Sequence, residues 1–200
     1  MQNENNMQQD KKENQECEAR TYSQGQLLQM LTDPARREQG FRLLTKTYGE
    51  MLYWHIRRIV VSHDDAEDAL QETFIKIYSG IDSFKGDGQL TSWIYRIATN
   101  ESLNLLRRHT HFFQSIDSLS PTLVSRLQAE TSLDAGAAEV LFQKALLTLP
   151  TQQRIAFNLR YYDELSYDEI AHITGKSTGT LKANYHYAVE KIKNYITKHS

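Results

Sequence analysis

Between residues 65 and 72 the chain sets Asp65, Glu67, Asp68, Gln71 and Glu72 close together, with Asp64 just before them. Carboxylates at this density could ligate a divalent cation, work as an acid/base pair, or meet a basic partner. The first two uses need side chains that converge on one point, whereas neighbouring carboxylates on a single helix fan out around its surface. No second acidic cluster completes such a site, and no Cys/His group has zinc spacing. No metal, no cofactor and no catalytic set are therefore expected, which weighs against an enzyme acting on DNA, such as a recombinase or nuclease. A charged face that steers a basic protein partner is the use that remains.

The second group lies in the last third, where Leu165-Ser166-Tyr167-Asp168-Glu169-Ile170-Ala171 is followed by Gly175 and Ser177-Thr178-Gly179-Thr180-Leu181-Lys182. Ser166 can cap a short helix, with Glu169 completing a capping box and Ile170, Ala171 and Ile173 sharing one face. Gly175 permits the turn that ends it. Ser177 can cap a second helix running to about Tyr195, with Leu181, Tyr185, Ala188, Val189 and Ile192 at helical spacing. Lys182, His186, Lys191 and Lys193 fall opposite. This is the pattern of a helix-turn-helix, whose second helix enters the major groove while the first crosses the phosphate backbone. Net charge is only −2, but five lysines against one glutamate follow His172. Basic character is thus concentrated on the helix that would read DNA. So weak an overall balance implies modest affinity for DNA alone and a partner that supplies the remainder.

These groups must be positioned by helices, because no alternating strand pattern competes; the fold class is all-α. Residues 1–22 are too polar to bury a core and read as a disordered tail. A short helix is expected at Gln26–Leu31. Asp33-Pro34 then resembles the cap and first position of a helix reaching Phe41, Leu44 and Tyr48, a stripe continued by Leu52, His55, Ile56, Ile59 and Val60. A break at Ser62-His63-Asp64 starts the acidic helix, whose other face, Ala66, Ala69, Leu70, Thr73, Phe74 and Ile77, belongs to a core. Residues 80–89 form a loop around Phe84 and Lys85. A helix from Thr91 to about Arg108 carries Trp93, Ile94, Ile97 and Ala98. Residues 23–111 thus form one small domain, 112–137 a flexible linker, and 138–200 a second domain that includes the helix-turn-helix. No apolar run approaches a membrane span, and the amino-terminal residues lack the order of a signal peptide. A cytoplasmic protein without direct membrane binding is expected, and Cys17, the single cysteine, rules out an internal disulfide.

Taken together, Asp65-Ala66-Glu67-Asp68-Ala69-Leu70-Gln71-Glu72-Thr73-Phe74, Leu90-Thr91-Ser92-Trp93-Ile94-Tyr95-Arg96-Ile97-Ala98-Thr99-Asn100, Leu149-Pro150 and Leu165 to Ile192 resemble the extracytoplasmic-function (ECF) sigma factors of bacterial RNA polymerase over about three quarters of the chain. The resemblance implies that Asp65, Glu67, Asp68, Gln71 and Glu72 dock on core polymerase. It implies that Phe84, Lys85, Arg96, Asn100, Arg107 and Arg108 surround an unpaired base and backbone of the minus-ten element. Phe84 serves equally well as a core anchor, and the three arginines equally well as a basic helix end. Ser177, Thr180, Lys182, Ala183, His186 and Tyr187 correspond to the minus-thirty-five reader. Here the sequence departs from the Arg-rich family pattern, so the preferred promoter cannot be carried over. The linker would thread through polymerase, joining two DNA-reading modules that do not pack on each other. An anti-sigma factor, often membrane-anchored in this family, is a further implied partner. An autonomous helix-turn-helix regulator is the rival reading; it leaves the acidic helix and aromatic loop without a task.

Overall fold

In a computed structural model, residues 23–84, 89–109, 123–125, 127 and 136–199 are described. Among them the only regular elements are helices. Helix α1 (Gln24–Thr32) opens with a complete capping box: Ser23 Oγ accepts from Gln26 N–H at 3.2 Å, and Gln26 Oε1 accepts from Ser23 N–H at 2.8 Å. Helix α2 (Arg37–Val60) begins later than Asp33-Pro34 suggests. Asp33 instead closes α1, and its carboxylate accepts from Ala35 N–H at 3.0 Å, so residues 33–36 form a turn before the new helix. Gly40 makes the α1/α2 crossing possible, because a Cβ there would lie 2.9 Å from Met30 Cβ and 3.0 Å from the backbone of Leu31.

Helix α3 (His63–Gly80) is capped by Ser62, with Asp64 and Asp65 in the first turn where the helix dipole favours negative charge. The corner before it is sharp, with buried Val61 at φ 71°. A 3-10 turn (Ile81–Ser83) leads towards α4 (Leu90–His109). Helices α5 (Ala137–Leu147) and α6 (Thr151–Tyr161) precede α7 (Tyr167–Thr174) and α8 (Thr178–His199). The last runs one turn beyond the expected end at Tyr195, carrying Tyr195 and Ile196 into a partly buried flank.

Helices α1–α4 form a bundle around Leu44, Leu52, Ile56, Ile59, Ile77, Ile94 and Leu106, none of which keeps exposed surface. A smaller core joins α5, α6 and α8 through Ala145, Leu146, Phe157, Ala188 and Ile192. The two helical domains are present as expected, but they are not separate bodies. Ile155, Leu159, Ile170, Ile173 and Leu181 belong to the same continuous cluster as the amino-terminal bundle. Leu123, within the span read as linker, is also buried in it. The expectation of two modules without mutual packing is therefore corrected: apolar surface on α6 and α7 finds its burial against α2 and α4.

Candidate functional site

The acidic helix presents Glu67, Asp68, Gln71 and Glu72 to solvent, while Asp65 is half-buried near the cap. Its opposite face is fixed in the core by Ala66, Ala69, Thr73 and Ile77. His63 anchors the first turn: Nδ1 lies 2.7 Å from the Tyr53 hydroxyl on α2, and Nε2 lies 3.4 Å from Glu67. Beside the acidic face runs an apolar groove of about 1000 Å³ between α2 and α3, with Phe41, Tyr53, Leu70, Phe74, Ile75 and Tyr78 among its lining residues. Ile75 and Tyr78 remain about half exposed. Sequence reasoning missed this groove because it divided α3 into a core face and an acidic face; the signal was large apolar residues lying on neither.

On α4, Trp93, Arg96, Asn100, Asn104 and Arg107 follow one another at spacings of three and four and therefore share a face. Arg96 and Asn100 are exposed, and Arg107 Nη1 donates to Asn104 Oδ1 at 2.9 Å. Arg108 is exposed at the carboxy-terminal end of the same helix. Phe84 is half-buried with its ring 5.4 Å from that of Trp93, so it is at once a packing residue and the edge of an aromatic platform. Asn100 lies seven residues from Trp93, about 10 Å along the helix. Lys85 lies outside the described residues.

The helix-turn-helix forms as its residues dictate. Ser166 Oγ accepts from Glu169 N–H at 3.3 Å and Glu169 Oε2 accepts from Ser166 N–H at 2.8 Å. Gly175, at φ 68°, ends α7 in the left-handed conformation that glycine adopts without a Cβ penalty. Ser177 Oγ accepts from Thr180 N–H at 3.2 Å, and the two hydroxyls stand 2.9 Å apart. Both residues are thus committed to capping α8 while remaining exposed. Leu181, Ala188 and Ile192 are buried, whereas Lys182, Ala183, His186 and Tyr187 stand on the solvent face. Tyr185 is structural: its ring stacks on Phe157 at 5.6 Å and 12°. Lys182 Nζ and the Arg160 guanidinium lie 5.7 and 5.5 Å from the Tyr167 ring centroid. Arg160 is an exposed cation, sharing the Tyr167 ring with Lys182, that the sequence pattern did not single out.

A buried polar seam links the halves. His55 is completely buried, with Nδ1 2.8 Å from Asp163 Oδ2 and Nε2 2.9 Å from Thr99 Oγ1. Thr99 donates its own hydroxyl proton to the Tyr95 carbonyl at 2.8 Å, leaving its oxygen to accept from His55. Arg58 pairs with the other Asp163 oxygen and lies 4.6 Å from the Tyr162 ring centroid. Burial raises the Tyr95 phenol, and the Asp163 charge adds to the shift; burial likewise raises Tyr162. Among the described residues no group of three or more His, Cys, Asp or Glu could hold a metal, and no helix is long and apolar enough to cross a membrane.

Comparison with known proteins gives these surfaces a common context. Residues 44–112 match the Sigma-70 region 2 pattern and residues 139–192 match Sigma-70, region 4. Those two regions, in that order on one all-helical chain, define a sigma-70-type subunit of RNA polymerase. The chain is 33% identical over 174 residues to the ECF RNA polymerase sigma-E factor of Salmonella typhimurium strain 14028s, covering 80% of this chain and 87% of that protein. It is 29% identical over 168 residues to the ECF RNA polymerase sigma factor SigW of Bacillus subtilis strain 168, covering 80% and 90%. The fold is similar to the sigma factor RpoE of Bartonella quintana, solved in complex with the anti-sigma factor NepR, with a TM-score of 0.61 and 23% identity over 80% of this chain and 98% of that one. The chain belongs to the ECF family of sigma factors. It binds core RNA polymerase and directs promoter-specific transcription initiation, and the autonomous regulator is not favoured.

Proposed function

We propose that the chain divides its work among three surfaces carried by residues 23–111 and 138–200, with 112–137 connecting them. Asp65, Glu67, Asp68, Gln71 and Glu72 dock on a basic surface of core polymerase, and the apolar groove beside them receives side chains from the same partner. Charges then steer the encounter and set its register, while buried apolar contacts hold it. Phe84, Lys85, Arg96, Asn100, Arg107 and Arg108 take the minus-ten strand as it melts. The Phe84/Trp93 platform offers a stacking surface, Asn100 offers both a donor and an acceptor, and the arginines meet phosphate. Ser177, Thr180, Lys182, Ala183, His186 and Tyr187 face the minus-thirty-five duplex, and Arg160 meets its backbone. The observation that carries this reading is the two-sidedness of α8: Leu181, Ala188 and Ile192 are buried while Lys182, Ala183, His186 and Tyr187 are exposed at the amino-terminal half of the helix.

No covalent chemistry belongs to the chain in this reading; its work is binding and conformational. It acts in the cytoplasm, the compartment of polymerase and its template, and without direct membrane contact. An anti-sigma factor is a further partner, a reading supported by the fold likeness to a sigma factor crystallised with one. The test is recovery of core RNA polymerase by the purified chain, followed by initiation from a random-promoter library. Asp68→Lys is expected to weaken recovery of core at least tenfold with unchanged helicity, and unchanged recovery removes α3 from the docking surface. Lys182→Ala is expected to leave core binding intact and reduce occupancy of the upstream promoter element; equal occupancy removes Lys182 from the contacts.

A further inference from the structure

Between α2, α5 and α6 lies a cavity of about 260 Å³. Val61, Leu146 and Leu147 give it apolar walls, and Asn158, Arg57, Arg58, Gln143 and Tyr162 give it polar ones. Trp54, half exposed on α2, borders the same space. None of its described lining residues belongs to α3, α4 or α8, the helices that carry most of the three surfaces above.

Asn158 keeps only 1% of its surface, yet neither its amide nitrogen nor its amide oxygen has a hydrogen-bond partner. Burying both atoms unmade costs free energy that an apolar residue of the same size would not. Its neighbours on α6, Phe157 and Leu159, are buried apolar residues, so packing alone does not call for an amide there. A second donor is left over beside it. Arg58 Nε is buried without a partner, while Nη2 of the same guanidinium donates to Asp163 and its face lies over the Tyr162 ring. The Tyr162 hydroxyl accepts from Gln143 Nε2 at 3.1 Å, and burial raises its phenol, so it retains a proton to donate.

These groups define what fits. The Asn158 amino group, Arg58 Nε and the Tyr162 hydroxyl donate, whereas Asn158 Oδ1 accepts. An occupant that satisfies them is rich in acceptors and sets one donor beside an acceptor, the complement of the asparagine edge. The described lining holds two guanidiniums and no carboxylate, which turns away amines and metal cations. The volume is just under the roughly 300 Å³ at which small-molecule sites begin, enough for one flat ring system and too little for a whole nucleotide. Leu146, Leu147 and Val61 suit the faces of such a ring, and Trp54 adds a surface on which it can stack. Adenine meets each requirement: its ring nitrogens accept, and its amino group donates beside N7, the edge that asparagine grips in bidentate fashion. Solvent alone, about eight waters at about 30 Å³ each, is the rival filling.

We propose that the cavity between α2, α5 and α6 is a binding site for an adenine-type base, with the Asn158 amide pairing to its amino edge and Arg58 Nε donating to a ring nitrogen. The site rests on neither the polymerase-docking nor the DNA-reading assignments.

The test is titration of the full chain by calorimetry with two free bases, adenine and unsubstituted purine, which lacks the amino group. Adenine is expected to bind one to one with a dissociation constant of about 0.1 mM, within reach of a ligand of about ten non-hydrogen atoms. Purine is expected to bind about tenfold more weakly, because the Asn158 oxygen then stays unpaired. Asn158→Leu, which keeps the size and removes the amide, is expected to weaken adenine at least about tenfold with an unchanged circular dichroism spectrum. No saturable binding of adenine up to about 2 mM leaves solvent alone in the cavity and overturns the proposal. Equal affinity for adenine and purine overturns it on the native chain, whatever the variant does to folding. Adenine binding that is lost in Asn100→Ala and kept in Asn158→Leu puts the base on α4 and overturns it as well.

Discussion

The amino-terminal bundle and the core behind the recognition helix are built from different materials. In the bundle, Leu44, Leu52, Ile56, Ile59, Ile77 and Ile94 interdigitate until none keeps exposed surface. Behind α8, Phe142, Phe157, Tyr162 and Tyr185 frame Ala145, Leu146, Leu149, Ala188 and Ile192, and Tyr185 lies flat on Phe157. Branched aliphatic side chains fill space from every direction, whereas rings bind by broad contact and leave a polar edge to water. The half to which polymerase docking and melted DNA are assigned thus has a thick core. The half that carries the helix-turn-helix rests on a thinner aromatic bearing, and it gains further burial by leaning on its neighbour.

If that contrast holds, Phe157→Ala should have the largest effect, about 3–5 kcal/mol, because it removes the plate under Tyr185 and the centre of the smaller core. Hydrogen exchange should show protection lost first in α6 and α8 with α2 still protected; uniform loss would mean that the two cores unfold as one. Leu52→Ala should cost about 2–4 kcal/mol, read as a lower midpoint of chemical denaturation, and should weaken the bundle before the aromatic core. At the next scale, the caps sharpen the comparison. Ser166→Ala removes the hydroxyl half of the capping box, the bond accepted from Glu169 N–H and the one donated to Glu169 Oε2, and should cost about 1 kcal/mol. Ser62→Ala removes a single 3.4 Å contact and should cost roughly half as much by thermal unfolding. Equal costs would show that the hydroxyl's second bond, donated to Glu169 Oε2, adds nothing. Lys182→Ala should change stability by less than about 0.5 kcal/mol, since the residue is exposed and touches only a ring face.

Local chemistry was legible in the sequence wherever its partner lay within one turn. Ser166 with Glu169, Gly175, Ser177 with Thr180, and Ser62 before the acidic helix all do what their types and spacing imply. Asp33-Pro34 misled because the same pair suits a helix start and a turn, and the next residues with helical bonds decide between them only once α1 is packed on α2. His55 was correctly placed on the apolar stripe, but nothing near it in sequence announced Asp163. The docking of the two domains escaped for the same reason: Ile155, Ile170 and Ile173 look like the interior of a small domain, and only the assembled chain shows them continuous with the larger core. The three DNA and polymerase surfaces follow the resemblance; the apolar groove at Ile75 and Tyr78 depends on how α2 and α3 lie together.

At the shared end of those two helices, outside the groove, sits one residue in a conformation of its own. Val61 turns the chain from α2 into α3 at φ 71°, a conformation that β-branched residues seldom adopt, and it is held there with its side chain buried. The corner is thus set by what the side chain is packed into and against the residue's own backbone preference. It works like a sprung detent in a hinge: the walls of the groove are aligned by tension at their shared end, and a substitution at Val61 would retune the fit of a partner that never touches it.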